Sequence, residues 1–270
     1  GFCGRQAAVR GAVVTEEGGG EPGRNGRKFT DADGWHEKMS AEIDIVHADE
    51  AIVVLNKPSG LLSVPGRGPD KQDCLSARVQ QRFADALIVH RLDMCTSGLI
   101  VMARGLDAQR HLQRQFAQGQ VGKGYVAIVQ GQPAVEPMQW HCIDAAMRVD
   151  WPNRPRSIID AQHGKPSRTR GRLLNAPAIQ AHAAFAPDFF RPPDIHGAHA
   201  VLEVAPETGR SHQIRVHLQS IGHPIAGDTL YGDAANQQMA PRLLLHAWYL
   251  ALQHPLTGEP VQWQCATDFC

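Results

Sequence analysis

No apolar run in this chain is long. From Ile43 onward the apolar residues come in short blocks, each cut by Gly, Pro or a pair of charges. None approaches the roughly 18 consecutive apolar residues of a membrane-spanning helix, so no membrane partner is expected. The blocks at 43–47 and 51–55 are rich in β-branched residues and are split by Asp49-Glu50, which predicts a hairpin. Lys57-Pro58-Ser59-Gly60 marks a turn. Residues 75–83 and 106–116 predict helices, and in the second Leu112 and Phe116 share a face while Arg110 and Arg114 lie on another. Residues 99–103, 125–129 and 201–204 predict strands. The Pro- and Arg-rich stretch 151–156 and the Pro-, Ala- and His-rich stretch 173–198 predict loops. Residues 211–221 fit two periods: Ile214, Val216 and Leu218 alternate as in a strand, whereas Ile214, Leu218 and Ile221 recur as in a helix. Residues 243–250 are apolar and expected to be buried. Helices and strands follow one another without a regular βαβ alternation, which favours an α+β fold.

Residues 1–39 differ in kind. They are rich in Gly and Glu and poor in large apolar groups, so they cannot offset the entropy of ordering and read as a disordered N-terminal extension. Met39 stands just before the first strand-like block and is a candidate start of the folded part. Residues 40–270 are expected to form a single domain, and a chain of 270 residues is long enough to bury a full core. Six cysteines lie far apart with no CxxC pair, as expected for free thiols in a reducing compartment such as the cytoplasm.

The chain carries 27 Lys+Arg and 27 Asp+Glu, a net charge of zero that argues against a nonspecific polyanion binder. The charges are nevertheless segregated: residues 1–56 and 224–270 are acidic, while 78–123 and 148–172 are basic. Most of the basic residues are Arg, whose planar fork suits phosphate and stacks on bases, although a GC-rich coding sequence accounts equally well for that bias. Charge alone makes RNA binding plausible and no more.

Three polar clusters interrupt the apolar text: His90-Arg91-Leu92-Asp93 with Thr96-Ser97-Gly98, then Lys123-Gly124-Tyr125, then residues 208–217. Phosphate-loop and dinucleotide motifs are absent, as is the GxSxG nucleophile elbow. His212 and His217 are five apart and HExxH is missing, so no metal site is expected. No second carboxylate sits in a frame like that of Asp93, which argues against glycosidase chemistry. What remains is one aspartate with arginines near it in sequence (Arg91) and candidates in space (Arg210, Arg215). Such an arrangement is either an ion pair pinning a loop or a carboxylate kept ionised and oriented as a reactive group. Tyr125 is either a core tyrosine or a ring that stacks on a base. His90, His212 and His217 read first as structural hydrogen-bonding groups.

Together these clusters resemble the RluA family of pseudouridine synthases. Residues 90–99 are similar to the signature HRLDxxTSGL, 57–66 to KPxGLxxxP, and Lys123-Gly124-Tyr125-Val126-Ala127 to KxYxA. Residues 209–217 are similar to GRxHQIRVH, 223–228 to HPIxGD and 242–247 to RLxLHA. Six segments in order, from about residue 43 to the C-terminus, make the resemblance specific. Within the family, Asp150-Trp151-Pro152-Asn153-Arg154-Pro155 and the 57–66 stretch are most similar to the dual-specificity branch acting on tRNA and large-subunit rRNA.

The resemblance implies a mixed, mostly antiparallel central sheet with flanking helices and loops around one RNA-binding cleft. It implies Asp93 as the catalytic aspartate, which attacks the sugar or base or takes a proton from the sugar. Arg91 then helps eject the target nucleotide, Tyr125 stacks on the flipped uracil, and Arg210 pairs with Asp93. Ile214 and Leu244, in the 243–245 run, line the apolar side of the pocket, and His90, Arg114, Arg154 and Arg156 complete the substrate-binding set. Arg78, Arg82, Arg110, Arg168 and Arg170 are further phosphate-binding candidates. Uridine isomerisation implies no cofactor. The implied partners are a tRNA anticodon stem-loop and large-subunit rRNA, met by a monomer. The chain departs from the family pattern in showing no S4-type RNA-binding module and in a longer 173–198 segment. The alternatives are a synthase acting on large-subunit rRNA only, a noncatalytic RNA-binding module, and a metal-dependent hydrolase.

Overall fold

The computed structural model describes residues 43–184 and 196–267, and these fall in one compact unit. The expectation for residues 1–39 lies outside the described residues. The elements in chain order are β1 (Asp44–Ala48), β2 (Ile52–Lys57), α1 (Leu75–Gln80), β3 (Ala86–Ile88), β4 (Ser97–Arg104), α2 (Leu106–Ala117), β5 (Gly122–Gln130), β6 (His141–Asp144), β7 (Met147–Val149) and β8 (Ser157–Ile159). They continue as β9 (Arg168–Leu173), α3 (Ala176–Ala184), β10 (His199–Pro206), α4 (Gln213–Ser220), α5 (Ala234–Gln238), β11 (Leu245–Gln253) and β12 (Pro260–Gln264).

One sheet runs β1-β2-β4-β11-β5-β10-β9-β6, with β12 alongside β11 and β3 alongside β4; β7 and β8 form a separate hairpin. The β4–β11 pair is parallel. The other pairs are antiparallel. The fold is therefore α+β around a mixed, mostly antiparallel sheet, as expected. Burial follows position in the sheet. β4 and β2 are almost continuously buried, as strands covered on both faces must be, whereas β10 alternates buried and half-buried residues and edge strand β1 alternates half-buried and exposed ones. The hairpin β1–β2 closes on Asp49, whose carboxylate accepts the amides of Ala51 (2.8 Å) and Ile52 (2.9 Å).

The parallel joint fixes where the Asp93 loop meets the sheet. Gly98 pairs with Ala247 across it and has φ +106. A β-carbon there would lie 2.3 Å from the Ala247 carbonyl oxygen, so no other residue fits. Beside it the Ser97 hydroxyl is 3.0 Å from His246 Nδ1, a buried polar tie between the two strands.

Two loop expectations need correction. Within 173–198, residues Ala176–Ala184 are helical, and Asn175 Oδ1 accepts the Ala178 amide (3.0 Å) at the start of that helix. Within 151–156, Trp151–Asn153 form a single 3-10 turn. Within the ambiguous stretch 211–221, Gln213–Ser220 form α4. The two periods have one cause: six successive residues, 213–218, are buried, polar and apolar alike, so no polar face marks them. Ile214 and Leu218 enter the main core, while Val216 packs with Met147 and Tyr231.

Candidate active site

Asp93 lies on the loop between β3 and β4, and that loop is held by the last residue of β2 and the turn that follows it. Lys57 is fully buried and its ammonium donates to the carbonyls of Pro58 (2.9 Å), Leu61 (2.8 Å) and Met94 (3.1 Å). Ser59 donates to the Cys95 carbonyl (2.8 Å), and the Gly60 amide to that of Met94 (2.8 Å). Ser63 donates to the Leu92 carbonyl (2.7 Å) and accepts the Leu92 amide (3.2 Å). The backbone at residues 92, 94 and 95 is thus clamped around Asp93, and the Asp93 carbonyl itself accepts the Thr96 amide (3.1 Å) in a closing turn. The Lys57-Pro58-Ser59-Gly60 turn signal is this clamp. In Lys57→Met the three carbonyls lose a charged donor, so unfolding stability should fall by about 2–4 kcal/mol. Single-turnover activity should fall with it, because the Asp93 loop loosens. A thermal-unfolding curve and a rate both matching wild type would remove the clamp from the account.

Above the loop, the guanidinium that reaches Asp93 belongs to Arg215. Its Nη1 is 3.5 Å from Asp93 Oδ2. Arg215 is 4% exposed and makes a two-pronged pair with Asp228, itself 1% exposed, at 2.6 and 2.8 Å. Asp228 is oriented in turn by the amides of Leu230 (2.9 Å) and Tyr231 (3.1 Å). Burial works against the Arg215 charge, but its hydrogen bond to Asp228 and the charges of Asp228 and Asp93 carry its pKa above the usual arginine value. The expected Arg210–Asp93 pair is therefore corrected. Arg210 is exposed and donates to the Pro166 carbonyl (3.3 Å), because residues 209–212 precede helix α4 and only Arg215, within it, faces Asp93.

Asp93 keeps 28% of its side chain exposed, and among the described residues its hydrogen bond goes to Oδ2, leaving Oδ1 free. Tyr125, half-buried on β5, packs against the core cluster that contains Ile214 and Leu244. Burial first, then the nearby Asp93 charge, push its phenol above the usual value, so it is a neutral ring beside the carboxylate. Ile214 is 7% exposed, whereas Leu244 is 1% exposed, so Leu244 supports the wall from within the core instead of lining it.

His90 departs from the substrate-binding set: its Nε2 accepts the Val101 amide (3.1 Å) and its ring stacks on Phe116 with centroids 4.4 Å apart. Burial, with the Lys123 charge as a second cause, holds its pKa down to about 3, so the ring stays neutral and able to accept. Arg91 is exposed and makes no ion pair among the described residues. Arg114 is exposed on α2. Arg154 lies over Trp151 at 4.3 Å, and Arg156 lies over Tyr231 at 5.7 Å while donating to the Leu230 carbonyl. Of the remaining basic candidates, Arg78 is tied to Asp73, Arg110 to Asp107, and Arg168 and Arg170 to Glu207, which leaves Arg82 without a carboxylate partner among the described residues. A hollow of about 430 Å³ beside the site is lined by Asp150, Arg156, Ser157, Gln219 and Tyr231. No group of three or more metal-ligating side chains occurs among the described residues, and none of their helices is long and apolar enough to cross a membrane.

The sequence profile of the RNA pseudouridylate synthase family matches residues 51–220. The chain is 42% identical over 225 residues to the dual-specificity RNA pseudouridine synthase RluA of Escherichia coli strain K12, covering 83% of this chain and 93% of that one. It is 40% identical over 225 residues to RluA of Yersinia pestis, covering 83% of this chain and 99% of that one. Among solved structures it is similar to human RNA pseudouridylate synthase domain containing 1, with a TM-score of 0.65 and 26% identity over 85% of each chain. A carboxylate on a clamped loop, a buried guanidinium against it and a neutral tyrosine at its side are thus set in a sequence alike over most of its length to enzymes of one kind, and the chain belongs to the RluA family of RNA pseudouridine synthases.

Proposed function

We propose that this synthase isomerises uridine in both a tRNA anticodon stem-loop and large-subunit rRNA, with Asp93 as the catalytic carboxylate. The reading is carried by one observation: Asp93 is the partly exposed carboxylate whose second oxygen is held by Arg215 and whose first oxygen is free. The reaction breaks the N1–C1′ bond, turns the base and joins C5 to C1′. C5 loses a proton and N1 gains one, so atoms and electrons balance without a redox partner or ATP. Asp93 supplies the carboxylate at the reacting nucleoside, Arg215 aims it, and the Tyr125 ring offers a flat apolar face for the uracil. The nucleotide must leave its stack, at a cost of a few kcal/mol that is smallest in a loop. Arg91, exposed and unpaired among the described residues, takes the vacated place, and Arg82, Arg114, Arg154 and Arg156 meet phosphates. The dual specificity comes from the similarity over most of the chain to enzymes named for it. We place the enzyme in the cytoplasm, in keeping with the free thiols of Cys74, Cys95, Cys142 and Cys265.

The test is pseudouridine mapping in tRNA and rRNA from a strain lacking the gene, with and without the chain restored. Restoration of sites in both RNA classes is expected. Restoration in rRNA alone would replace the proposal by the single-substrate reading, and restoration of none, with RNA still bound, by the noncatalytic one.

A further inference from the structure

A chain of three hydrogen-bonding groups ends at Asp93 and fixes the state of a histidine. The Tyr231 hydroxyl accepts the backbone amide of Ser157 (2.8 Å), so its own proton is free to be donated. The one acceptor for that proton among the described residues is Nδ1 of His212, 2.7 Å away. With Tyr231 as the donor, Nδ1 accepts, and the neutral ring then carries its proton on Nε2. That Nε2 lies 3.9 Å from Asp93 Oδ2. The backbone at His212 has φ +58, in the left-handed region uncommon for residues other than Gly, at the residue just before α4. Burial and the Arg215 charge lower the His212 pKa, against the opposing charges of Asp93 and Asp228, so the ring faces Asp93 neutral. Arg215, Asp93, Asp228 and Tyr231 are the charged and titratable groups around it.

We infer that His212 is a positioning residue for the reaction: the backbone amide of Ser157, relayed through Tyr231, locks the Nε2–H tautomer, and that N–H holds Oδ2 of Asp93 together with Arg215 so that Oδ1 alone is presented to the nucleotide. The inference rests on Asp93 being the reactive carboxylate, and it adds to that reading a second donor on the same oxygen. The separation of 3.9 Å is closed by a small ring movement when a nucleotide displaces water from the site.

Two substitutions separate this role from a purely structural one. The amide of Gln reaches the position of Nε2 and can donate to Asp93. The amide of Asn stops at the position of Nδ1, where it can accept from Tyr231 but cannot reach the carboxylate. Asn is the better residue for φ +58, so a structural role ranks His212→Asn above His212→Gln. The positioning role ranks them the other way. With the full chain and a uridine-containing anticodon stem-loop at saturating enzyme, His212→Gln should keep the single-turnover rate within about threefold, and His212→Asn should lose about tenfold or more with RNA affinity unchanged. A rate for His212→Asn equal to or above that of His212→Gln overturns the inference.

Nitrogen NMR of the ¹⁵N-histidine-labelled enzyme, with His212 assigned by difference from His212→Gln, reads the tautomer without reference to catalysis. A proton on Nε2 at neutral pH is expected, and a proton on Nδ1 overturns the relay. Because this reading needs no turnover, it stands or falls separately from the assignment of Asp93.

Discussion

Asp93→Asn should fold, bind RNA and make no pseudouridine. The substitution keeps shape and volume and changes only charge and one oxygen, at a side chain that is 28% exposed. Arg215 does not lose its main partner, since its two short bonds run to Asp228. Stability should therefore move by less than about 1 kcal/mol, the range for a part-exposed ion pair. RNA affinity should hold or rise slightly, because a negative charge is removed from a surface that meets phosphates. The rate should fall on the order of 10⁴-fold or more, as it does when the group that meets the reacting atoms is removed. Single-turnover pseudouridine mapping, with RNA affinity and a melting curve measured on the same preparation, checks all three. Product at a wild-type rate ends the assignment of Asp93. Loss of RNA binding in step with the rate would instead mean that the carboxylate organises the binding surface.

Asp93 was legible in the sequence because its setting is local: a polar loop directly before a strand apolar enough to be central. The hairpin of β1 and β2, the helix α2 and the strands β4, β5 and β10 were legible for the same reason, each carrying its own period. The clamp beneath Asp93 was not. Lys57 announces a turn, and nothing in a turn signal says that a lysine will be fully buried against three carbonyls, one of them 37 residues on. The resemblance implied Arg210 as the partner of Asp93; the structure has Arg215, five residues on, because the choice between them depends on where α4 begins. The stretch 211–221 hides that start because Gln213, Arg215 and His217 are as buried as the apolar residues between them. Each of these polar residues is satisfied by a distant partner: Gln213 by the Arg168 carbonyl and Thr169, His217 by Thr169 and the Ala145 carbonyl, Arg215 by Asp228. Periodicity reports burial of apolar groups, and it is silent where buried polar groups pair across the fold.

Exchanging the two arginines decides which of them serves Asp93. Arg210→Ala removes an exposed side chain whose contact is one carbonyl at 3.3 Å. Stability should stay within about 0.5 kcal/mol, and the single-turnover rate should fall less than about tenfold, through phosphate contacts alone. Arg215→Ala leaves Asp228, 1% exposed, without its counter-charge. Such a loss costs about 3–5 kcal/mol. In a domain of this size that lowers the melting temperature by roughly 10 °C. The rate should fall by orders of magnitude, but an unfolded enzyme is inactive for an uninteresting reason. Arg215→Met with Asp228→Asn removes both buried charges, and the Asn oxygen still accepts the Leu230 and Tyr231 amides. Replacing a buried pair by neutral groups of similar volume is often tolerated, so the double variant should regain most of the lost stability. It should not regain activity, because Asp93 has still lost its cation. Recovery of the rate along with stability would show that Arg215 acts only by holding the fold. A larger loss in Arg210→Ala than in the double variant would return the pairing with Asp93 to Arg210.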